Sequence, residues 1–205
     1  MESINQQIWK AMQTDPAVMR DMQRKLINTR ALAKYLIDKY DLTVSLDAVI
    51  SSIRRFPLEA YEEEEKTLQH IFADSVVSTK NNIACITLDM RPNEAFTRLC
   101  TLSLPEIRIT TGTDEVKILA ENGQIDKIAK LFKKPGIERD LSEISITVSE
   151  KSIKTKGVLA RIAAEMALAH INVHELLMCP PQFLIYVSQK DIVKAHERII
   201  ALTAS

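Results

Sequence analysis

The stretch ISITVSEKSIKTKGVLARIAAEMALAHINVHELLM, residues 144–178, decides the fold. Its first residues alternate between apolar and polar, a pattern typical of a half-buried strand. An apolar helical segment follows Gly157, and a second β-rich run starts at Ile171. Ser, Thr, Asp or Asn caps a helix better than glycine does. Gly157 therefore indicates that another group comes close to the backbone where this helix begins.

The same order of elements occurs twice after residue 72. Each copy reads strand, helix, strand, strand, helix; the first begins at Ile83 and the second at Ile144. Before the first copy, Asn81-Asn82 predicts a tight turn between two strands. This order of elements builds an antiparallel sheet with both helices on one face, the ferredoxin-like plan.

The first 60 residues predict helices instead. Asp15-Pro16, Asn28 and Ser45 are typical helix starts. The last of these helices carries its apolar residues on one face: Leu46, Val49, Ile50, Ile53 and Phe56. Two helices joined by a short turn, each with one apolar face, favour a helix-turn-helix geometry.

We therefore predict an α+β protein with four segments. Residues 1–60 form a helical, helix-turn-helix-like domain, and residues 61–71 an acidic linker that includes YEEEEK. Residues 72–141 and 142–205 form two ferredoxin-like (βαββαβ) domains.

The quoted stretch resembles an ACT domain, and it is most similar to the second ACT domain of aspartokinases. The resemblance continues through FLIYVSQKDIVKAHERII, and VVSTKNNIACITLDMRPNEAFTRL is similar to the first ACT domain of the same tandem. It covers about residues 72–205 and implies a regulatory, non-enzymatic protein. We expect no catalytic residue and no cofactor, because the segment before the first repeat is too short for a kinase domain and no Gly-rich phosphate loop is present.

The resemblance also implies a ligand, since ACT domains bind amino acids or similar metabolites at a domain or subunit interface. The matching positions are Lys156, Gly157, Val158, Ile171, Asn172 and Val173. A helix N-terminus suits a carboxylate, and an asparagine amide can both donate and accept hydrogen bonds. The alternative is purely structural: Gly157 allows a tight turn and Asn172 ends a sheet edge. The sequence departs from the ACT-domain pattern in two loops. RPNEAF replaces a Gly-containing loop in the first repeat, and His170 replaces a glycine in the second.

A DNA interface is the second expectation. The polar face of the helix that begins at Leu46 carries Ser51, Ser52, Arg54 and Arg55, which suit base edges and phosphates. The alternative is a solvated face of a docking domain. Two functions remain open: an amino-acid-responsive transcription regulator, or a regulatory or structural subunit that controls an enzyme by protein contact without binding DNA.

Composition and residue patterns give further expectations about partners, location, cysteines, metal binding and assembly. The formal net charge is zero, so only a local patch could attract nucleic acid. With no signal pattern and no long apolar run, we expect a cytoplasmic protein without a membrane partner. Cys85, Cys100 and Cys179 predict reduced core cysteines. The scattered histidines predict no metal site, and free strand edges favour a homodimer.

Overall fold

The computed structural model describes residues 3–103, 106–149, 152 and 154–204. The chain divides into two compact units, Met1–Thr67 and Leu68–Ser205. Within the described ranges, no helix is both long enough and apolar enough to cross a membrane.

The first unit is helical. Its helices are α1 (Ile4–Gln13), α2 (Pro16–Gln23), α3 (Thr29–Tyr40) and α4 (Leu46–Arg54), and α5 (Glu59–Ala73) continues past the boundary between the units. The three predicted helix starts are confirmed: the side chains of Asp15, Asn28 and Ser45 each accept a hydrogen bond from a backbone N–H in the first turn of α2, α3 and α4. Residues 61–71, the predicted linker, lie within α5.

One apolar cluster holds this unit together. Its fully buried members include Met12, Leu36 and Val49, from α1, α3 and α4. The predicted apolar face of α4 is confirmed, with Val49 and Ile53 buried and Leu46 packed against them. Five residues, 41–45, join α3 to α4.

The second unit combines helices with one antiparallel sheet. Its elements in chain order are β1 (Val76–Leu88), α6 (Pro92–Leu99), β2 (Arg108–Thr111), β3 (Val116–Glu121), α7 (Asn122–Ala129), β4 (Gly136–Thr147), α8 (Val158–Leu168), β5 (Val173–Cys179), β6 (Gln182–Ser188) and α9 (Ile192–Thr203). The repeated order of elements is confirmed. The sheet order is β2-β3-β1-β4-β6-β5.

The two copies share this sheet through their long first strands. The early part of β1 pairs with the late part of β4, as in Val77 with Ile146. The late part of β1 pairs with β3 on one side and with the early part of β4 on the other. The predicted boundary at residue 141 therefore falls inside β4, which pairs with β6 from Leu141 onward.

The tight turn predicted at Asn81-Asn82 is wrong, because β1 runs through both residues. Asn82 has φ 64°, and the register with β4 shifts on both sides of Ile83. On β4, Asp140 has φ 59° close to the same point. Asn and Asp tolerate this left-handed conformation better than other side chains do. Such irregularities bend a strand and increase its twist. The asparagines that predicted a turn therefore lie at a bend within β1.

Apolar side chains pack on both faces of the sheet. One face carries two clusters: the first joins α6 and α7 to β1 and β3, and the second joins α8, α9 and the end of α5 to β4 and β6. A smaller inner cluster on the opposite face contains Ile83, Cys85, Leu119, Leu141, Leu184 and Tyr186.

The cysteine prediction is correct only for Cys85. Its thiol is buried in the inner cluster, and this burial raises its pKa to about 11. Cys100 and Cys179 are exposed, so the expectation that they belong to the core is wrong. Cys100 follows the last residue of α6, and Cys179 ends the edge strand β5, where few neighbours can cover a side chain.

Candidate functional site

Gly157 has the backbone conformation that the sequence suggested. Its φ is +90°, a left-handed value that side chains other than glycine rarely adopt, and it immediately precedes α8. A Cβ at this position would lie 3.2 Å from Leu68 Cδ1 on α5. The group that comes close to the backbone is therefore a side chain of the protein itself, which accounts for the glycine on structural grounds.

The start of α8 keeps free hydrogen-bonding capacity. The first N–H groups of a helix have no partner within the helix, and the N-cap residue Gly157 has no side chain that could cap α8. Lys156 is exposed next to these groups. A carboxylate is attracted both by unpaired N–H groups and by the positive end of the helix dipole.

The six predicted ligand residues fall into two groups. Val158 and Ile171 are buried and belong with half-buried Val173 to the cluster beneath α8. Their side chains therefore hold the helix and the neighbouring strand together, which leaves only the backbone groups of Val158 and Ile171 for a ligand. Lys156, Gly157 and Asn172 are exposed.

Asn172 lies at the opposite end of α8 from Gly157. It directly precedes β5, and the 11-residue helix between the two positions is about 16 Å long. One small amino acid cannot contact both ends of the helix, so the structure does not bring Asn172 and Gly157 together within this chain. The exposed part of the candidate site therefore consists of the N–H groups that open α8 and the Lys156 ammonium.

An ionic cluster on the inner face of the sheet escaped the sequence reasoning. Its members are Lys80, Glu106, Arg108, Glu121, Glu143 and Tyr186, which line one small cavity. Lys80 Nζ lies 2.9 Å from a carboxylate oxygen of both Glu106 and Glu121. These two contacts raise the pKa of Lys80. Each member comes from a different strand or loop, so no local motif joins them.

This cavity is nearly filled. Its volume is about 10 Å³, which is room for roughly one water. Burial, followed by a hydrogen bond donated to Glu143, raises the pKa of Tyr186. Nearby, Lys117 on β3 is ion-paired with Glu175 on β5. Because β1, β4 and β6 separate these two strands in the sheet, the pair shows that the sheet is curled.

The predicted DNA-binding residues do not share one exposed face. Arg54 and Arg55 are exposed, and Arg55 Nη2 donates to Ser51 Oγ at 2.9 Å. Ser52 is only 1% exposed, so it cannot contact DNA and the prediction for Ser52 is wrong. Its backbone carbonyl accepts a hydrogen bond from Trp9 Nε1, at 3.0 Å, which places this side of α4 against α1. Ser52 was assigned to the polar face of α4 from its residue type alone.

No group of three or more His, Cys, Asp or Glu residues in the described ranges is arranged to hold a metal ion. His170 and His174 lie on opposite sides of the change from helix to strand. His174 Nδ1 lies 2.9 Å from Glu138 Oε1 on β4.

Comparison with solved structures shows the fold. The chain is similar to the aspartate kinase of Clostridium acetobutylicum, with 17% identity and a TM-score of 0.54 over 62% of this chain and 34% of that one. It is similar to the regulatory subunit of aspartate kinase from Thermus thermophilus, with 13% identity and a TM-score of 0.55 over 62% of this chain and 95% of that one.

A third similar structure is a putative C-terminal regulatory domain of aspartate kinase from Porphyromonas gingivalis, with 14% identity, a TM-score of 0.53 and coverage of 65% of this chain and 99% of that one. The chain thus spans about a third of a whole aspartate kinase and nearly all of the separate regulatory chains. The ACT-like fold expected from the sequence is confirmed. No protein-family model matches the sequence, and no curated protein matches it.

Proposed function

We propose that the Leu68–Ser205 unit is a regulatory module that senses a small amino acid at the start of α8. The observation that carries this proposal is the start of α8 after Gly157, an N-cap without a side chain, with exposed Lys156 beside it. The fold likeness to regulatory domains of aspartate kinases supports it. The two copies of strand, helix, strand, strand, helix would then be two ferredoxin-like ACT domains that share one sheet.

The direction of ligand approach follows from Leu68. Its side chain occupies the space beside Gly157, so a ligand reaches the helix start from the side of Lys156. The ligand carboxylate would accept hydrogen bonds from the first N–H groups of α8, with the Lys156 charge adding attraction.

The test is a thermal screen of the twenty amino acids at millimolar concentration. A bound ligand raises the melting temperature of the unit by mass action, which far-UV circular dichroism can follow. Lys156→Ala should reduce the rise without changing the melting temperature of the free protein, because the Lys156 side chain is exposed. Lys127→Ala, at an exposed position on α7, is the matched control and should keep the rise. A screen in which no amino acid raises the melting temperature contradicts the proposal.

We further propose that the protein is not catalytic and acts by protein contact. Met1–Thr67 carries ten Lys and Arg residues against eleven Asp and Glu residues, so it has no excess positive charge. Burial of Ser52 removes one of the four predicted DNA contacts. DNA binding gains most of its affinity from phosphate contacts made by basic side chains, and this unit offers few of them on α4.

The DNA-binding regulator is the second candidate, supported by exposed Arg54 and Arg55 at the end of α4. Electrophoretic shift of genomic DNA fragments at low salt, with and without amino acids, separates the two candidates. Retardation that weakens with salt and is lost in the Arg54→Ala, Arg55→Ala variant would establish the DNA-binding function. Unretarded DNA at every protein concentration leaves control by protein contact.

A further inference from the structure

The helical unit contains a groove beside the last turns of α1 and the end of α3. Its volume is about 380 Å³, and pockets that bind small molecules usually measure about 300–1,000 Å³. The residues that line it are Gln7, Lys10, Ala11, Thr14, Tyr40 and Leu42. All of them belong to Met1–Thr67, so the groove is a feature of this unit alone.

Hydrogen bonds hold part of this groove in place. The Thr14 hydroxyl donates to the carbonyl of Ala11 at 2.8 Å, so the Tyr40 hydroxyl is the donor in its 2.9 Å contact with Thr14. In the same turn after α1, the Asp15 carboxylate accepts a hydrogen bond from Lys39 on α3 at 2.9 Å. These bonds tie the end of α3 to the end of α1. A ligand that enters the groove therefore meets side chains that are already ordered, which lowers the entropic cost of binding.

Two polar side chains of α1 bring unused hydrogen-bond donors to the groove. Gln7 and Lys10 are exposed and lie three residues apart, on the same side of the helix. Within the described ranges, neither the Gln7 amide nor the Lys10 ammonium has a hydrogen-bond or ion-pair partner. No Asp or Glu residue is among those that line the groove. Lys10 therefore gives the groove a positive charge without a counter-charge, and this favours an anionic ligand.

Apolar surface makes up much of the remaining lining. Ala11 is buried in the core cluster of the unit, and half-buried Tyr40 and Leu42 pack against that cluster. An apolar ligand body that covers these side chains removes their surface from water, which is favourable. An ammonium group would meet Lys10 and no carboxylate, so a free amino acid does not suit this groove. The lining instead suits a molecule with one anionic end, an apolar body and no amine.

We propose that this groove binds a small carboxylate that has an apolar body and no amino group. The ligand carboxylate accepts hydrogen bonds from the Lys10 ammonium and the Gln7 amide. The apolar body lies on Ala11, Leu42 and the ring of Tyr40. This site is separate from the start of α8 and differs from it in ligand class, because the helical unit binds an acid without an amine.

Phenylacetate is the probe, and phenylacetamide is its neutral counterpart of nearly the same shape. Each is titrated into the isotope-labelled full chain, and binding is followed by NMR through the backbone amide signals. Phenylacetate should shift the signals of Ala11, Thr14 and Leu42 and leave those of residues 156–158 in place. Hydrogen bonds to a charged group are stronger than neutral ones, so phenylacetamide should bind about tenfold more weakly. This result does not depend on the outcome of the amino-acid screen.

A charge-removing variant tests the role of Lys10. Lys10→Met keeps the apolar stem, so it should weaken phenylacetate binding about tenfold and leave phenylacetamide binding unchanged. Lys34→Met, at an exposed position on α3, is the matched control and should bind both probes as the wild type does. Unshifted Ala11, Thr14 and Leu42 signals at tens of millimolar phenylacetate, equal affinity for the two probes, or full phenylacetate affinity in the Lys10→Met protein would each overturn the proposal.

Discussion

Replacing Gly157 with alanine tests why a glycine precedes α8. The change adds one methyl group at a position with φ +90°, and that methyl would lie 3.2 Å from Leu68 Cδ1. Two costs follow, one from the backbone and one from the contact. We expect the Leu68–Ser205 unit to lose stability even though the substitution is small.

The backbone cost dominates. A non-glycine residue in a sparsely populated conformation costs about 1–3 kcal/mol. The contact costs less, because Leu68 Cδ1 is the end of a flexible side chain that can shift by a few tenths of an ångström. We therefore expect a loss of about 2 kcal/mol in the free energy of unfolding, which lowers the melting temperature by about 4–8 °C for a domain of this size.

Two optical signals separate the units in the assay. Trp9 is the one tryptophan of the sequence and packs within the helical unit, so its fluorescence reports on Met1–Thr67. Far-UV circular dichroism also follows the sheet. In urea, Gly157→Ala should lower the midpoint of the sheet transition, whereas Gly123→Ala should not. A Cβ at Gly123, in the first turn of α7, meets nothing within 4 Å, and alanine favours a helix.

A double-mutant cycle with Leu68→Ala divides the two costs. The effect of Gly157→Ala in the Leu68→Ala background should retain its backbone part, with a coupling below about 1 kcal/mol. If Gly157→Ala were as stable as the wild type, or if Leu68→Ala abolished the whole effect, the reasoning from the left-handed backbone would fail.

Three further predictions concern single side chains. Ser52→Ala should raise the stability of the helical unit by about 1 kcal/mol in Trp9-monitored urea unfolding, because the buried Ser52 hydroxyl has no hydrogen-bond partner among the residues that the structure describes; a loss of stability would contradict this reasoning. Burial and the hydrogen bond to Glu143 raise the pKa of Tyr186 above its ordinary 10.0, so stability should fall above pH 10 as the unfolded tyrosine ionises. Tyr186→Phe should weaken that fall in alkaline unfolding, and an unchanged pH profile would count against the Tyr186 assignment. Hydrogen bonds from Lys39 and Tyr35 lower the pKa of Asp15, so the helical unit should lose stability as pH falls below about 4, the ordinary range of an aspartate. Asp15→Asn should flatten this acid dependence of Trp9 fluorescence, and an equally steep profile would show that other carboxylates control it.

Helix starts were predictable because a cap acts within one turn of chain. Asp15, Asn28 and Ser45 each bond to backbone N–H groups no more than three residues away, so residue type alone was informative. The repeated strand, helix, strand, strand, helix order followed from the same kind of local pattern, and with it the ACT-like fold. At the candidate site, the sequence identified Gly157 as a point of close approach.

The tertiary structure decided which group makes that approach and which faces are covered. Leu68 is 89 positions from Gly157 in the chain, and no local pattern relates them. Ser52 has a polar side chain but lies against α1, because the packing of α1 on α4 extends beyond the apolar stripe of α4. The positive φ values of Asn82 and Asp140 bend two long strands, and the resulting curl brings Lys117 to Glu175. Such contacts depend on the distance between elements after packing, whereas a cap or an alternating strand depends only on its neighbours in the chain.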